Sequence, residues 1–300
     1  MLRTMWEKYG ARLDSATWLW LILGGAVVVG VVFGATATVR KHARAGAAVP
    51  PQMHRAVYDL SIDHLKSTSD MQGFDGRMVV EWRGGPGCEG YTSDQRVVTH
   101  STDADGHASF SDVRLNSWES LDGNDFRFDR TEYVDGKLSV RESGEVKRVD
   151  GKVTLAEPDK DPIVLPSDVM FPSVFNIALI KAAQDGQNVF IGALFDGTQT
   201  AASNVTAFLG KPGAASPDAA SVAIKNRGDG QILKSTQAWP VRMSYFDVAA
   251  DGDQADSTPN FEMGFAMFPN GVMSALKLDY DDVTLKGVLT QIEYFKPGAC

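Results

Sequence analysis

Few residues in this 300-residue chain are spaced to do chemistry. His42, His54, His64, His100 and His107 stand too far apart to form a metal site by local spacing, and neither H-E-x-x-H nor C-x-x-C occurs. There is no G-x-S-x-G nucleophile turn and no phosphate-cradling P-loop. Asp251-Gly252-Asp253-Gln254-Ala255-Asp256 has the opening of a calcium loop but carries Asp256 where such a loop turns on glycine, so it reads as a solvated turn. Asp279, Asp281 and Asp282 read the same way. His54 has no partner in the sequence that would make it a general base. The expectation is therefore no catalytic residue, no metal site and no cofactor.

Two cysteines remain, Cys88 in a Cys-Glu-Gly-Tyr-Thr run and Cys300 at the last position. A lone pair in an exported acidic chain suits a disulfide, because oxidising compartments permit one. A buried Cys88 with a free Cys300 is the competing reading. If bridged, the closed loop is long, and the chain-entropy model sets an upper limit of roughly 5 kcal/mol on its stabilisation.

The elements around these residues read as strands. Ala56, Tyr58, Leu60 and Ile62 alternate with Asp59, Ser61 and Asp63, and Met78, Val80 and Trp82 alternate with Arg77 and Glu81. Further period-two runs lie at 113–116, 126–129, 137–141, 241–245 and 261–267. Each implies one buried and one wet face, as in antiparallel sheet. Asp-Gly recurs at 75–76, 105–106, 122–123, 135–136, 150–151, 185–186, 196–197, 229–230 and 251–252, joined by Asn270-Gly271. Both dipeptides suit tight hairpins. Val189–Phe195, Val205–Leu209 and Val283–Phe295 add strands. One helix is expected near 173–185, with the stripe Phe171, Phe175, Ala178, Leu179 and Ala182, an N-cap at Ser173 and a stop at Gly186. Residues 210–230 read as an exposed excursion and 249–259 as an acidic surface loop.

Charge is divided unevenly. The net charge is −9, yet the first fifty residues hold six Arg or Lys against Glu7 and Asp14, leaving the remainder strongly acidic and repulsive to nucleic acid. Ser15–Val39 contains no charged residue, which exceeds the ~20 residues that cross a bilayer. It has no polar face, so a buried core helix does not fit. Ala35-Thr36-Ala37 and Ala45-Gly46-Ala47 match signal-peptide cleavage sites, whereas the length and Arg40-Lys41 favour a retained anchor in the inner membrane. The organisation is thus a signal or anchor segment at 1–44, a linker at 45–52, and one β-domain at 53–300.

Several stretches taken together resemble the EipB family of bacterial cell-envelope integrity proteins. They are His54-Arg55-Ala56-Val57-Tyr58-Asp59-Leu60, Gly76–Trp82, Cys88-Glu89-Gly90-Tyr91-Thr92, Trp239–Phe246 and Asn270–Tyr280, with Leu165-Pro166 and Phe171-Pro172 before the helix. The likeness spans about residues 50–300 and keeps its order throughout. It implies an all-β fold, a long antiparallel meander curled into a spiral or barrel-like cup with one packed helix; the N-terminal hydrophobic helix read above departs from the family, looking more like an anchor than the usual cleaved signal. It also implies a Cys88–Cys300 disulfide and a periplasmic location in a Gram-negative cell, soluble or tethered by residues 15–39. No enzymatic activity comes with the family, whose members sustain the envelope under stress. The partner expected is another envelope component, a protein or peptide. The alternative is a carrier that holds an apolar ligand or lipid inside the curved sheet.

Overall fold

The computed structural model describes residues 51–214, 218–219, 222–224, 233, 237–247, 258–296 and 298–300. The N-terminal hydrophobic segment and the Asp251–Asp256 run lie outside the described residues, as does most of the expected loop at 249–259. Among the described residues, no helix is long and apolar enough to cross a membrane.

Alternating β-branched and aromatic residues produce eight successive strands: β1 (His54–Leu65), β2 (Met71–Gly84), β3 (Gly90–Asp103), β4 (Ala108–Ser120), β5 (Asp125–Val134), β6 (Lys137–Val149), β7 (Lys152–Ala156) and β8 (Ile163–Leu165). Each is antiparallel to the one before it. Two connections are set by backbone sign. Asp135-Gly136 and Asp150-Gly151 both have positive φ at both residues (51° and 77° in each), the mirror-image turn whose twist suits a two-residue hairpin. One of the expected hairpin turns proves otherwise. Asp75-Gly76 lies inside β2, where Gly76 leaves space for the Thr99 side chain on β3: a Cβ there would stand 2.9 Å from the Thr99 methyl. Asp185-Gly186 ends the helix, in keeping with the stop expected at Gly186.

The second half runs α1 (Pro172–Gln184), β9 (Val189–Leu194), β10 (Ser203–Leu209), β11 (Ala223–Ile224), β12 (Trp239–Asp247), β13 (Phe261–Met267), β14 (Met273–Asp279) and β15 (Val283–Tyr294). The sheet order is β8-β7-β6-β5-β4-β3-β2-β1-β15-β14-β13-β12-β10-β9, so two meanders fuse where β1 pairs with β15. Short parallel contacts qualify the antiparallel expectation, one of them a bridge between Pro86 and Cys88. β11 lies beside β15 for two residues. Met170, just before α1, bridges to β9: its N–H donates to the Ala193 carbonyl (2.8 Å), and its own carbonyl accepts from Phe195 N–H (3.0 Å). That contact ties the segment after β8 to β9, the other end of the sheet.

Residues 210–230 are not an exposed excursion throughout. Ala219 and Val222 are buried in the main core, and Asp218 Oδ2 accepts the backbone N–H groups of Ala275 (2.8 Å) and Leu289 (3.2 Å). Ala275 sits at a bulge with φ of 51°, where β14 leaves its partner β13. Its N–H therefore lacks a ladder partner, and the Asp218 carboxylate supplies one.

Helix α1 matches its expected span, but not its cap. Phe171 is the N-cap residue and offers no side-chain bond, Pro172 holds the first helical position, and Ser173 lies one residue further in. The orphan N–H groups at this end are met from across the fold: Glu119 on β4 accepts from Ser173 N–H (2.7 Å) and Val174 N–H (3.0 Å). Trp82 on β2 adds an indole N–H donated to Ser173 Oγ (3.1 Å). At the other end Gly186 (φ 76°) sends its N–H to Ala183 and the next N–H, of Gln187, reaches Ala182, the two-bond arrangement that terminates a helix on a left-handed glycine. The buried face is Phe175, Leu179, Ile180, Ala182 and Ala183; Ala178 is only half-buried and Ile180 takes its place. Lys181 is the one residue of α1 classed as exposed, because the curled sheet wraps the helix.

Glu119 is almost fully enclosed, and burial raises its pKa despite the backbone N–H groups that favour its charged form. Replacing it with alanine leaves two buried N–H groups without an acceptor, at about 1–3 kcal/mol. Glu119→Ala should therefore lower stability in urea titration by that amount, while Glu119→Gln, which keeps one acceptor oxygen, loses less; equal losses would show that the cap does not hold the helix.

Candidate functional site

The chain brings its chemistry-capable residues to one end of the seam between β1 and β15. Cys88 is not within a strand, as its alternating surroundings suggested; it occupies the loop between β2 and β3, just ahead of Gly90. Gly84, Gly85 and Gly87 all have positive φ there, which tightens the loop. The C-terminal tail folds back across it. Gly84 N–H donates to the Ala299 carbonyl (3.3 Å), and the Arg83 guanidinium lies 3.5 Å over the Phe295 ring. The structure joins Cys88 to Cys300, with Cα atoms 5.7 Å apart at a sequence separation of 212. Since β1 lies between β15 and β2, the bridge spans β1 and fastens the extension of β15 to the β2–β3 hairpin.

Inward from this clasp the concave face of the sheet and α1 border a partly open cavity of about 310 Å³. Its position follows from strand parity. Residues facing in from β1 and β2 include Tyr58, Leu60, Met78 and Trp82, and the far wall comes from β12–β14. Five methionines line it: Met78, Met243, Met263, Met267 and Met273. Thioether side chains are unbranched and polarizable, so they adapt to ligands of varied shape. Aromatic rings stiffen the far wall, with Phe261 stacked on Tyr280 (5.0 Å) and tilted against Tyr245 (5.4 Å). Tyr58 is deeply buried and Tyr245 half-buried, and desolvation pushes both phenols up, with further lift from the nearby charges of Asp218 and Asp196 respectively. Tyr58 donates its O–H to the Met273 carbonyl (2.9 Å).

Polar groups collect on one side. Ser93, Gln95 and Thr99 face in from β3, and Ser173 and Asn176 from α1. His54 also lines the cavity, edge-on to Trp82 (6.4 Å) and Tyr294 (6.5 Å). Its Nδ1 must carry a hydrogen, because it stands 2.7 Å from the Gln52 carbonyl, which can only accept. Burial lowers the His54 pKa, outweighing this bond, so the neutral ring has its lone pair on Nε2. The other described histidines take no part: His100 faces Asp75 and Phe110 on the outer surface, and His107 caps the β3–β4 turn with Asp103. Among the described residues, no group of three His, Cys, Asp or Glu side chains is arranged as a metal site. Asp279 bonds Thr284 (2.7 Å) and Asp282 is buried, so the cluster at 279–282 is structural rather than a simple exposed turn.

Residues 45–296 match the model of the family described as EipB-like. The chain belongs to the EipB-like family. A curated member, the cell envelope integrity protein EipB of Brucella abortus (strain 2308), is 34% identical over 260 residues, covering 85% of this chain and 89% of that protein. A crystal structure of a β-barrel-like protein of a domain of unknown function, also from Brucella abortus, superposes with a TM-score of 0.74 at 31% identity. It covers 83% of this chain and 100% of the other. The family reading and the barrel-like β architecture expected of it therefore hold, and the curated member is named for cell-envelope integrity.

A ligand held inside the curved sheet was the alternative expected, but the residues that line the cavity were not legible as a site. Its signal lay in the alternating Met-and-aromatic runs at 241–245 and 261–267, which read as ordinary core.

Because the His54 pKa is lowered in the fold, the folded protein takes up its proton at a lower pH than the unfolded chain does. Its contribution to stability is present above the ordinary histidine value of about 6.5 and lost as the pH falls through the folded value, at about 1.4 kcal/mol for each unit of difference. The melting temperature of wild type should drop more between pH 7 and pH 5 than that of His54→Asn. Parallel pH profiles would contradict a neutral, buried His54.

Proposed function

We propose that this protein sustains the cell envelope without catalysis, by holding the apolar part of an envelope component in the cavity beneath α1. The observation that carries this reading is a partly open, Met-lined cavity whose lining includes no charged side chain. At about 30 Å³ for each water-sized group, it accommodates on the order of ten methylenes. Each methylene removed from water contributes roughly 0.8 kcal/mol, offset by the cost of immobilising the ligand. A single acyl chain fits that scale and that chemistry. The disulfide supports an oxidising location, and the periplasm of a Gram-negative cell suits both it and the family role.

A second reading, binding of an envelope protein or peptide, is favoured by a different observation. On the outer face of β9 and β10, Val189, Ile191 and Phe208 are all exposed, Ile191 by 70%. Phe208 stands directly opposite Val189. Asn188 bonds toward β10, so the alternate residues Val189 and Ile191 turn their backbone groups to the free side of an edge strand. An added strand from a partner would pair with those groups.

The two are separated by purifying the protein from the envelope fraction without detergent and analysing it by native mass spectrometry. The cavity reading predicts a bound lipid at close to one per chain, reduced in Met263→Trp, which fills the space. A lipid-free protein that co-purifies with another protein, and loses it in Ile191→Asp, would favour the edge instead.

A further inference from the structure

The two ends of the cavity differ in what lines them, and β1 runs from one to the other. His54 pairs with Tyr294 at the end beside the clasp, and Leu65 with Val283 at the opposite end. The ring group of Tyr245, Phe261 and Tyr280 belongs to the far end, because Tyr280 N–H donates to the Val283 carbonyl across the β14–β15 turn (2.9 Å). At the clasp end the inward residues of β1, β2 and β3 form cross-strand rows. One row is His54, Trp82 and Ser93, and the next is Ala56, Val80 and Gln95. Asn176 borders the same cavity from α1, one helical turn beyond Ser173, the residue that receives the Trp82 indole N–H.

The polar groups of the clasp end are not spent on the fold. His54 is 6% exposed, and its Nδ1 is committed to the Gln52 carbonyl, which leaves Nε2 on the other side of a ring that borders the cavity. Among the described residues Nε2 has no hydrogen-bond partner, and neither do the side chains of Ser93, Gln95 and Asn176. Hydroxyls and carboxamides both donate and accept, so these three suit any polar head group. Nε2 discriminates, because with the hydrogen on Nδ1 it can only accept. Burial and the Gln52 bond alone act on the ring, so among the described residues no charged side chain stands close enough to influence it.

We propose that His54 defines a head-group subsite, in which Nε2 accepts a hydrogen bond from the O–H or N–H of an uncharged head while the attached acyl chain extends along β1 toward Tyr245, Phe261 and Tyr280. The proposal rests on the cavity reading given above and adds to it the direction and the class of the ligand. A head that offers only acceptors, such as an ether or a tertiary amide, leaves the Nε2 lone pair unmet in the interior at the cost of its desolvation. A carboxylate is disfavoured further, since it sets a negative charge against that lone pair unless a proton is taken up.

The test uses probes that share one ten-carbon chain, titrated calorimetrically at pH 8 into the disulfide-bonded protein. 1-Decanol and decanamide donate; decyl methyl ether and N,N-dimethyldecanamide are their methylated, non-donating counterparts; decanoate supplies the anion. Each donor should bind about tenfold tighter than its counterpart, the scale of one satisfied hydrogen bond, and decanoate should bind no better than the ether. The pair with the larger ratio assigns the head as hydroxyl or amide. His54→Phe keeps an aromatic ring and loses the acceptor, so it should bring both ratios to about one and leave ether affinity unchanged. A second readout needs no variant: in nitrogen NMR of the wild-type protein, the His54 Nε2 resonance should move on addition of decanol and hold its position with the ether. Ratios near one in the wild type, ratios that survive His54→Phe, tightest binding by decanoate, or an Nε2 resonance indifferent to bound decanol would each overturn the subsite and leave the cavity reading standing. Failure of all five probes to bind overturns the cavity reading and the subsite together.

Discussion

The pairing of β1 with β15 is the constraint on which the remaining structure depends. The chain makes two antiparallel meanders, and among the described residues this ladder joins them into one sheet. Register is fixed on both sides of β1: Tyr58 opposes Met78 on one flank and Leu289 on the other, so a one-residue slip would turn its buried face to solvent. The disulfide acts on the same ladder from outside it, tying the tail beyond β15 to the hairpin beyond β2. A clasp over so long a loop acts mainly by limiting the unfolded chain.

Closing the seam leaves a concave face that must be filled, and the protein fills it in two ways. On one side β5–β7 and the Phe171–Phe195 region pack densely: Phe126 stacks on Phe171 (5.0 Å) and meets Phe195 edge-on (5.8 Å). On the other, α1 fills most of the space and the cavity takes the remainder. The helix needs Glu119 because its start is buried among strands, where water cannot meet its N–H groups. The polar network Trp82–Ser173–Glu119 therefore links the clasped hairpin strand, the helix and β4 at the cavity rim. What is function here and what is architecture share the same side chains.

The alternation of Ala56, Tyr58 and Leu60, or of Met78, Val80 and Trp82, was enough to read the strands, because burial of one sheet face writes itself into local sequence. The Asp135-Gly136 and Asp150-Gly151 turns were equally legible. Asp75-Gly76 misled, because Gly76 is required by the neighbouring strand rather than by a turn, a demand invisible without knowing that Thr99 lies beside it. Ser173 misled as an N-cap for the same kind of reason: the acceptor that serves the helix comes from Glu119, 54 positions away. Residues 210–230 looked solvated by composition, yet Asp218 is held by a bulge at Ala275 that no local pattern announces. The cavity was the least legible feature. Met263 and Met267 look the same in sequence whether they pack against a neighbour or border a void.

Amide hydrogen exchange across the seam tests the central claim most directly. In the disulfide-bonded protein, amides of β1 and β15 that face each other, from Tyr58 with Leu289 to Ile62 with Leu285, should exchange among the slowest in the chain, far more slowly than those of edge strand β8. Reduction of Cys88–Cys300 should accelerate exchange at the seam before it affects β4–β6. A seam that exchanges as fast as β8, or that is indifferent to reduction while β4–β6 open first, would contradict an account in which the β1–β15 ladder and its clasp hold the cup closed.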